Sequence, residues 1–223
     1  MNRQLITTAD GSHSVFVPQL NEHYHSIHGA IQESEHVFIN AGLLQLPTAI
    51  TWVNLLEIGF GTGLNAFLTF LHNLAFLQRH ITYTGIEAYP IDPSLAKQLN
   101  YVQQLNAQPY EPIFTALHTC PWQQTTSIAP NFTLLKQQTL LQNLQFAPQY
   151  HLIYFDAFAP TVQPELWTAA VFEQMYRALL PGGILCTYCA KGTVKRTLKE
   201  VGFAVEALPG PPGKRQMTRA IKG

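Results

Sequence analysis

Charge is scarce in this chain. Only 12% of its 223 residues are Asp, Glu, Lys or Arg, and the formal net charge is zero. That balance lacks the global basic signature of a nucleic-acid binder, so any polyanion contact must come from a local patch. Cysteine is scarcer still: Cys120, Cys186 and Cys189 are all there is. Cys186-Thr-Tyr-Cys189 has the C-x-x-C spacing of zinc and redox sites, but no second pair accompanies it. The run reads as a strand, where residues three apart point to opposite faces. Buried strand cysteines are therefore expected in place of a metal site. No apolar run is long enough to span a bilayer, and the most apolar segment, Ala66 to Leu77, contains His72 and Asn73. Met1 to Gly11 carries no apolar signal-peptide core. His23, His25, His28 and His36 are crowded, yet they lack the spacing of a helix-borne ligand set. They read as surface or lid residues. The expectation is a cytoplasmic protein with no membrane partner and no metal.

What is present is a large apolar content, 47% of residues, enough for one sizeable domain with a short appendage. The most informative run is Leu55-Leu-Glu-Ile-Gly-Phe-Gly-Thr-Gly-Leu-Asn65. An apolar stretch from Val53 to Ile58 meets three alternating glycines and passes into an apolar-periodic segment. That order predicts a strand, a tight turn and a helix. Glycine serves where a chain turns sharply and a ligand approaches the backbone. The start of the helix offers unpaired N–H groups and a positive dipole end.

A second strand, Ile81 to Ile86, ends in Glu87, the position from which a carboxylate accepts hydrogen bonds from ribose hydroxyls. Two features lean away from a nicotinamide dinucleotide. Glu57 closes the first strand just before the glycines, where it would repel a pyrophosphate. The spacing is also G-x-G-x-G, not G-x-G-x-x-G. A cationic ligand suits this loop better, and S-adenosylmethionine carries both an ammonium and a sulfonium. Glu57 reads as a loop organiser or as a contact for the ligand ammonium. Its bland alternative is a dipole partner for the helix.

The remaining chain continues the alternation. Gln4 to Thr8 and Ser14 to Val17 suit a hairpin with an Asp10-Gly11 turn. Ile27 to Phe38 has helical spacing, and the segment from Tyr24 onward is placed to cover a site. Helices are expected over 63–78, 93–106, 164–180 and 193–201, with a short one near Phe114 to His118. Strands are expected over 131–136, 150–156, 184–190, 203–208 and 215–222, with Pro181-Gly-Gly183 turning into the fifth sheet strand. This predicts an α/β, doubly wound, Rossmann-like sheet over 51–223, preceded by a hairpin and helical lid segment over 1–50. The closing antiparallel pair resembles the seven-stranded S-adenosylmethionine-dependent methyltransferase fold. Ligand then belongs at the carboxyl ends of the strands, near the switch between the first and fourth, where Glu57, Glu87 and Asp156 fall.

Asp156 ends the fourth strand and precedes Ala157-Phe-Ala-Pro160. It reads either as a turn cap or as the group that holds an incoming amine and accepts its proton. Phe158 reads as a core aromatic or as a surface on which a base stacks. Eight of the thirteen Lys and Arg residues lie after position 190, among them Lys214 and Arg215. That end suits a polyanion, or is simply a solvated face.

Several runs together resemble the tRNA 5-methylaminomethyl-2-thiouridine methyltransferase family, the MnmC-like methyltransferase unit. They are Tyr24-His-Ser-Ile-His-Gly-Ala-Ile-Gln-Glu-Ser34, Glu57 to Asn65, Phe155-Asp-Ala-Phe-Ala-Pro160, Pro164-Glu-Leu-Trp167, Pro181-Gly-Gly183, Val201-Gly-Phe203 and Gly213-Lys-Arg215 with Met217. The resemblance implies methylation of the aminomethyl nitrogen on a wobble uridine in a tRNA anticodon loop. It implies a cofactor loop of Glu57, Gly59, Phe60, Gly61, Thr62 and Gly63 with Asn65. Glu87 would hold ribose, and Asp156 with Ala157 and Phe158 would lie by the methyl donor. Tyr24, His25 and Ser26 would form a lid, with Phe158, Lys214 and Arg215 on the substrate side. Family members commonly carry an acid after the third strand, near the adenine. Here Gln137 takes that place, with Gln138 next to it, so the contact loses its charge. With no second glycine fingerprint, the chain resembles the form without an oxidoreductase domain. A small-molecule methyltransferase of the same fold is the alternative. A non-catalytic RNA- or protein-binding module is disfavoured by the three strand-end acids.

Overall fold

Apolar residues on alternate faces of a few strands organise the molecule. In the computed structural model, which describes residues 2–223, Leu55 and Leu152 face one layer of helices while Leu56 and Ile153 face the other. Both pairs lie in register across parallel neighbours. Strands buried on both faces read as continuous apolar runs, as these do.

The chain opens with a small sheet of β1 (Gln4–Thr7), β2 (His13–Val17) and β3 (Glu22–His23). Asp10 organises its turn, accepting the Ser12 N–H at 3.0 Å and the Gln32 N–H at 3.1 Å from α1 (Ala30–Ser34). A π-helical stretch, Glu35–Asn40, follows α1 directly. Val15, Ala30, Val37 and Phe38 join the same core as the main sheet, so the N-terminal segment shares its interior. Of the stretch expected to be helical, Ile27 lies outside and is exposed.

The main elements are β4 (Trp52–Ile58), α2 (Leu64–Asn73), β5 (His80–Glu87), α3 (Pro93–Ala96), α4 (Tyr101–Gln104), α5 (Glu111–Thr119), β6 (Thr125–Ala129), β7 (Phe132–Gln138), β8 (Tyr150–Phe155), α6 (Ala169–Ala178), β9 (Leu179–Thr187), α7 (Gly192–Val201), β10 (Phe203–Pro209) and β11 (Gln216–Lys222). The sheet order is β10-β11-β9-β8-β4-β5-β7-β6. Strands β9, β8, β4, β5 and β7 run parallel; at one edge β11 runs antiparallel between β9 and β10, and at the other β6 runs antiparallel to β7. The order of strand addition reverses at the β4/β8 boundary, where the two strands are parallel neighbours, and this is the switch point where open α/β sheets bind ligands.

The sheet has eight strands, not the seven expected. The extra one, β6, alternates only polar and half-buried residues and gave no apolar signal. The helix expected over 93–106 is broken into α3 and α4. Asn100 interrupts it by accepting the His13 N–H at 2.8 Å and donating to the Gly11 carbonyl at 2.9 Å, a local side-chain competition that Asn favours. The helix expected over 164–180 starts as a single 3-10 turn, Pro164–Leu166, and becomes α-helical only after the Thr168 cap. Strand β9 begins at Leu179, so Pro181-Gly-Gly183 is an irregularity inside the strand and not its entry turn. Cys186 and Cys189 are buried free thiols in opposite core layers, but only Cys186 lies within the strand; β9 ends at Thr187, two residues before Cys189.

Gly85, in the middle of β5, is needed for room. A Cβ there would lie 2.6 Å from the Phe60 ring and 3.3 Å from the Phe60 Cβ. Phe60 is buried against His118 and Trp122 and has little freedom to withdraw. Overpacking of this kind costs about 1–3 kcal/mol. Gly85→Ala is expected to lower the urea midpoint by a corresponding amount. An unchanged midpoint would mean that Phe60 is not fixed in this position.

Candidate active site

The glycine loop is built from the end of β4. The Gly59 and Phe60 N–H groups both donate to the Ile86 carbonyl, at 2.9 and 3.1 Å. Gly59 has φ 90°, and a Cβ there would lie 2.5 Å from the Asp156 carbonyl oxygen. The Asp156 N–H in turn donates to the Ile58 carbonyl at 2.9 Å. Strand ends β4 and β8 therefore approach as closely as two backbones can, and only glycine is tolerated at the contact. Gly61 donates its N–H to Glu87 Oε2 at 3.0 Å, and Gly63, at φ 71°, turns the chain into α2.

Behind the loop lies a carboxylate relay. Glu57 is 1% exposed. Its Oε1 accepts from Asn65 Nδ2 at 2.8 Å and its Oε2 from the Tyr83 hydroxyl at 2.8 Å. Burial raises its pKa well above the usual carboxylate range, against the lowering effect of those two bonds. Asn65 Nδ2 also donates to Asp156 Oδ2 at 2.9 Å, which joins the two acids through one amide. Burial lifts the Asp156 pKa to about 7. The charge of Glu33 adds to that rise, while the Asn65 bond and Lys214 oppose it.

In front of the loop is a cavity of about 420 Å³, within the range of small-molecule sites. Its wall includes Gly59, Phe60, Gly61, Thr62, Asn65, Glu87, Asp156, Ala157 and Phe158. Tyr24, His25 and Ser26 close it from the N-terminal side, and Lys214 from the C-terminal side. The Tyr24 ring meets Phe158 edge-on at 5.1 Å. His25 Nε2 pairs with the Thr62 hydroxyl at 2.8 Å, and burial lowers its pKa to about 4, so it is neutral near pH 7.

Four residues expected at the site are not on this wall. Glu57 stands behind it as a loop organiser. Gly63 turns into α2 with the His118 ring against it. Gln137 pairs with Ile86 inside the sheet, and the wall beyond β7 is formed instead by Thr139, Leu140, Leu141 and Gln142. Arg215 is exposed and lies outside. Its neighbour Lys214 is not a free surface cation. The Lys214 ammonium pairs with Glu33 and lies 4.0 Å from the centre of the Tyr188 ring. Arg219 and Lys222 are also engaged, with Glu206 and the Leu179 carbonyl. The basic end is thinner than its sequence suggested, and Lys191, Arg196, Lys199 and Arg215 remain exposed.

Glu33, Tyr89, Gln163 and Tyr188 also line the cavity and were not foreseen. Glu33 had only the look of a polar position on a short helix. Tyr89 was within reach of the strand-end rule, being two residues beyond β5. The crowded histidines do not form one cluster: His36 contacts the Pro209 carbonyl, His23 packs on the Phe16 ring at the cavity edge, and His25 pairs with Thr62. Among the described residues no group of three metal-ligating side chains converges.

Residues 101–223 match a family described as S-adenosyl-L-methionine-dependent methyltransferase. The chain is 32% identical over 199 residues to the tRNA 5-methylaminomethyl-2-thiouridine biosynthesis bifunctional protein MnmC of Pseudomonas putida, covering 84% of this chain and 30% of that protein. It is 33% identical over 216 residues to the protein of the same name from Cupriavidus necator, covering 92% and 32%. The chain thus spans about a third of the length of these curated relatives. Its fold is similar to that of MnmC2 from Aquifex aeolicus, with TM-score 0.76 at 21% identity over 98% of this chain and 70% of that one. It is also similar to spermidine synthase from Thermotoga maritima, with TM-score 0.56 at 12% identity over 100% and 72%.

The Asp156 environment makes stability depend on pH. Its ordinary pKa is 3.8 and its folded value about 7. Between these values the folded carboxyl holds a proton that the unfolded chain has released, so stability falls as pH rises through this window. The penalty is absent below about pH 4 and complete above pH 7. Asp156→Asn removes it while keeping an acceptor for Asn65. In urea unfolding the variant is expected to be more stable than the parent at pH 8, with the gap narrowing toward pH 4.5. A gap independent of pH would show that the carboxyl is not held protonated.

Proposed function

The chain belongs to the MnmC-related family of S-adenosyl-L-methionine-dependent methyltransferases, and from that membership we propose that it methylates the aminomethyl nitrogen on a wobble uridine of tRNA. The product is 5-methylaminomethyl uridine or its 2-thio form. The carrying observation is that Asp156 and the glycine loop share one cavity wall and are locked together at Gly59.

The residues present fit the family's cofactor. Gly59 and Gly61 line the cavity with backbone alone, and Glu87 presents a carboxylate at the end of β5 for ribose hydroxyls. Among the described residues Asn65 Oδ1 is a buried acceptor without a partner, on the cavity wall. S-adenosyl-L-methionine, when bound, supplies a methyl group on a sulfonium that an amine can displace in line. Asp156 orients that amine and takes its proton, a role suited to a pKa near working pH. Phe158 and Tyr24 stack against the target base, which an anticodon loop presents unpaired. Positioning contributes most, because a neutral amine is already a competent nucleophile. The substrate sets the setting: a tRNA-modifying enzyme works in the cytoplasm, and no helix among the described residues is long and apolar enough to cross a membrane. Lys191, Arg196, Lys199 and Arg215 are the exposed cations available to RNA phosphates.

Transfer of labelled methyl groups to tRNA carrying the unmethylated aminomethyl uridine tests the proposal. Incorporation at the wobble position is expected. Cofactor binding without incorporation would favour a small-molecule methyltransferase. Asp156→Asn is expected to slow single-turnover transfer at least tenfold with cofactor saturating. A rate equal to the parent's would remove Asp156 from the chemistry.

Glu87→Ala is expected to weaken S-adenosyl-L-methionine binding roughly 10–100-fold, the range for hydrogen bonds to a charged acceptor. Part of that loss is indirect, since Glu87 also accepts the Gly61 and Tyr89 N–H groups. Calorimetry showing parental affinity would exclude Glu87 as the ribose contact.

A further inference from the structure

Lys214 is bound by this site in the way a substrate amine would be. Its ammonium sits against Glu33 Oε1 and 4.0 Å from the centre of the Tyr188 ring. A carboxylate joined to an aromatic face is a standard ammonium receptor. Each part of this one is fixed from outside. Glu33 is 6% exposed, and its Oε2 accepts the Ser26 N–H at 2.7 Å. The Tyr188 hydroxyl donates to the carbonyl of Ala157 at 2.9 Å, one residue beyond Asp156. Glu33, Tyr188, Lys214 and Asp156 all line the same cavity. A buried carboxylate with a rigid second bond is preorganised to hold a cation, and costs stability when left unpaired. Lys214 arrives from a surface turn, on a flexible stem, with about a third of its side chain exposed. It can leave without disturbing the elements that hold Glu33 and Tyr188.

We propose that Glu33 and the face of Tyr188 form an ammonium subsite beside Asp156 that receives the protonated amine of the substrate, and that Lys214 fills it until the substrate arrives. The inference rests on the amine-methylating function given above. A primary amine enters such a site as R–NH3⁺, which has no lone pair for attack. Glu33 holds this cation, and one of its protons passes to Asp156, whose Oδ2 is tied to Asn65 while Oδ1 makes no hydrogen bond within the chain. The freed lone pair forms the N–C bond as the C–S bond breaks and its electron pair stays on sulfur. The product is a secondary ammonium, again a cation suited to Glu33. The subsite favours cationic amines and disfavours any amine whose substituent carries a carboxylate, because that group would face Glu33 and Asp156.

Methylammonium chloride is the probe. Titrated into Lys214→Ala and followed by the ¹³C signal of labelled methylammonium, it is expected to bind saturably. Binding should be at least tenfold weaker to Lys214→Ala/Glu33→Gln, and weaker to the parent, whose own lysine competes. Equal binding with and without Glu33, or none to Lys214→Ala, would overturn the subsite. If Lys214→Ala does not fold, Glu33→Gln in the parent chain decides. Its kcat/KM on aminomethyl-bearing tRNA should fall at least tenfold with the cofactor Kd unchanged, and an unchanged kcat/KM would overturn the proposal. Methylammonium binding by a chain that never methylates tRNA would sink the tRNA reading and leave the subsite standing. Methylation indifferent to Glu33→Gln would do the reverse.

Discussion

Glu57 has to be satisfied before anything else at this site can form. A carboxyl group with 1% of its surface exposed costs several kcal/mol unless it is bonded or protonated. Its two partners, the Asn65 amide and the Tyr83 hydroxyl, come from α2 and β5. Meeting that demand draws the first turn of α2 under the end of β4 and sets the span the glycines must cross. The same amide reaches Asp156, so the acid at the front of the cavity is placed by the acid at the back. The backbone contact between Gly59 and Asp156 then fixes the separation of the two strand ends.

This arrangement divides labour among acids that look alike in sequence. Glu57 is structural, since its oxygens are spoken for and it does not reach the cavity. Glu87 faces the cavity while holding Gly61 and Tyr89, so ligand binding and loop shape are coupled through one side chain. Asp156 sits where burial and the charge of Glu33 raise its pKa to about 7. The cavity wall also carries Glu22 and Glu165 against only Arg3 and Lys214 as cations. Arg3 is itself committed to the Tyr89 and Pro90 carbonyls. An acid-rich pocket in a neutral chain matches a cationic methyl donor and a cationic amine.

The parallel centre of the sheet was legible because β4 and β8 are apolar runs ending in an acid and β5 carries alternating apolar residues up to Glu87. The glycine loop and the three strand-end acids followed from the same pattern. Strand β6 was hidden because its half-buried face, Thr126 with Ile128, carries a single large apolar residue and so shows no apolar period. The break at Asn100 and the irregularity at Pro181-Gly-Gly183 arise from tertiary hydrogen bonds and pairing that no local period encodes. Glu33 was missed for a related reason. Its burial comes from packing of the lid on the C-terminal turn, and only that packing separates it from a solvated helix acid. Lys214 erred in the opposite sense, since charge counted along the chain cannot tell a free cation from a paired one.

The contact between Glu33 and Lys214 joins residues 181 positions apart. Strand β11, which follows the turn carrying Lys214, inserts between β9 and β10 and so must be added late. A chain emerging from the ribosome can therefore assemble its glycine loop, its relay of acids and its lid helix while Glu33 still lacks its cation. The final turn then shuts the cavity. The cavity is therefore closed by the segment around Lys214 only once β11 is in place between β9 and β10, which makes closing the pocket a long-range event in folding.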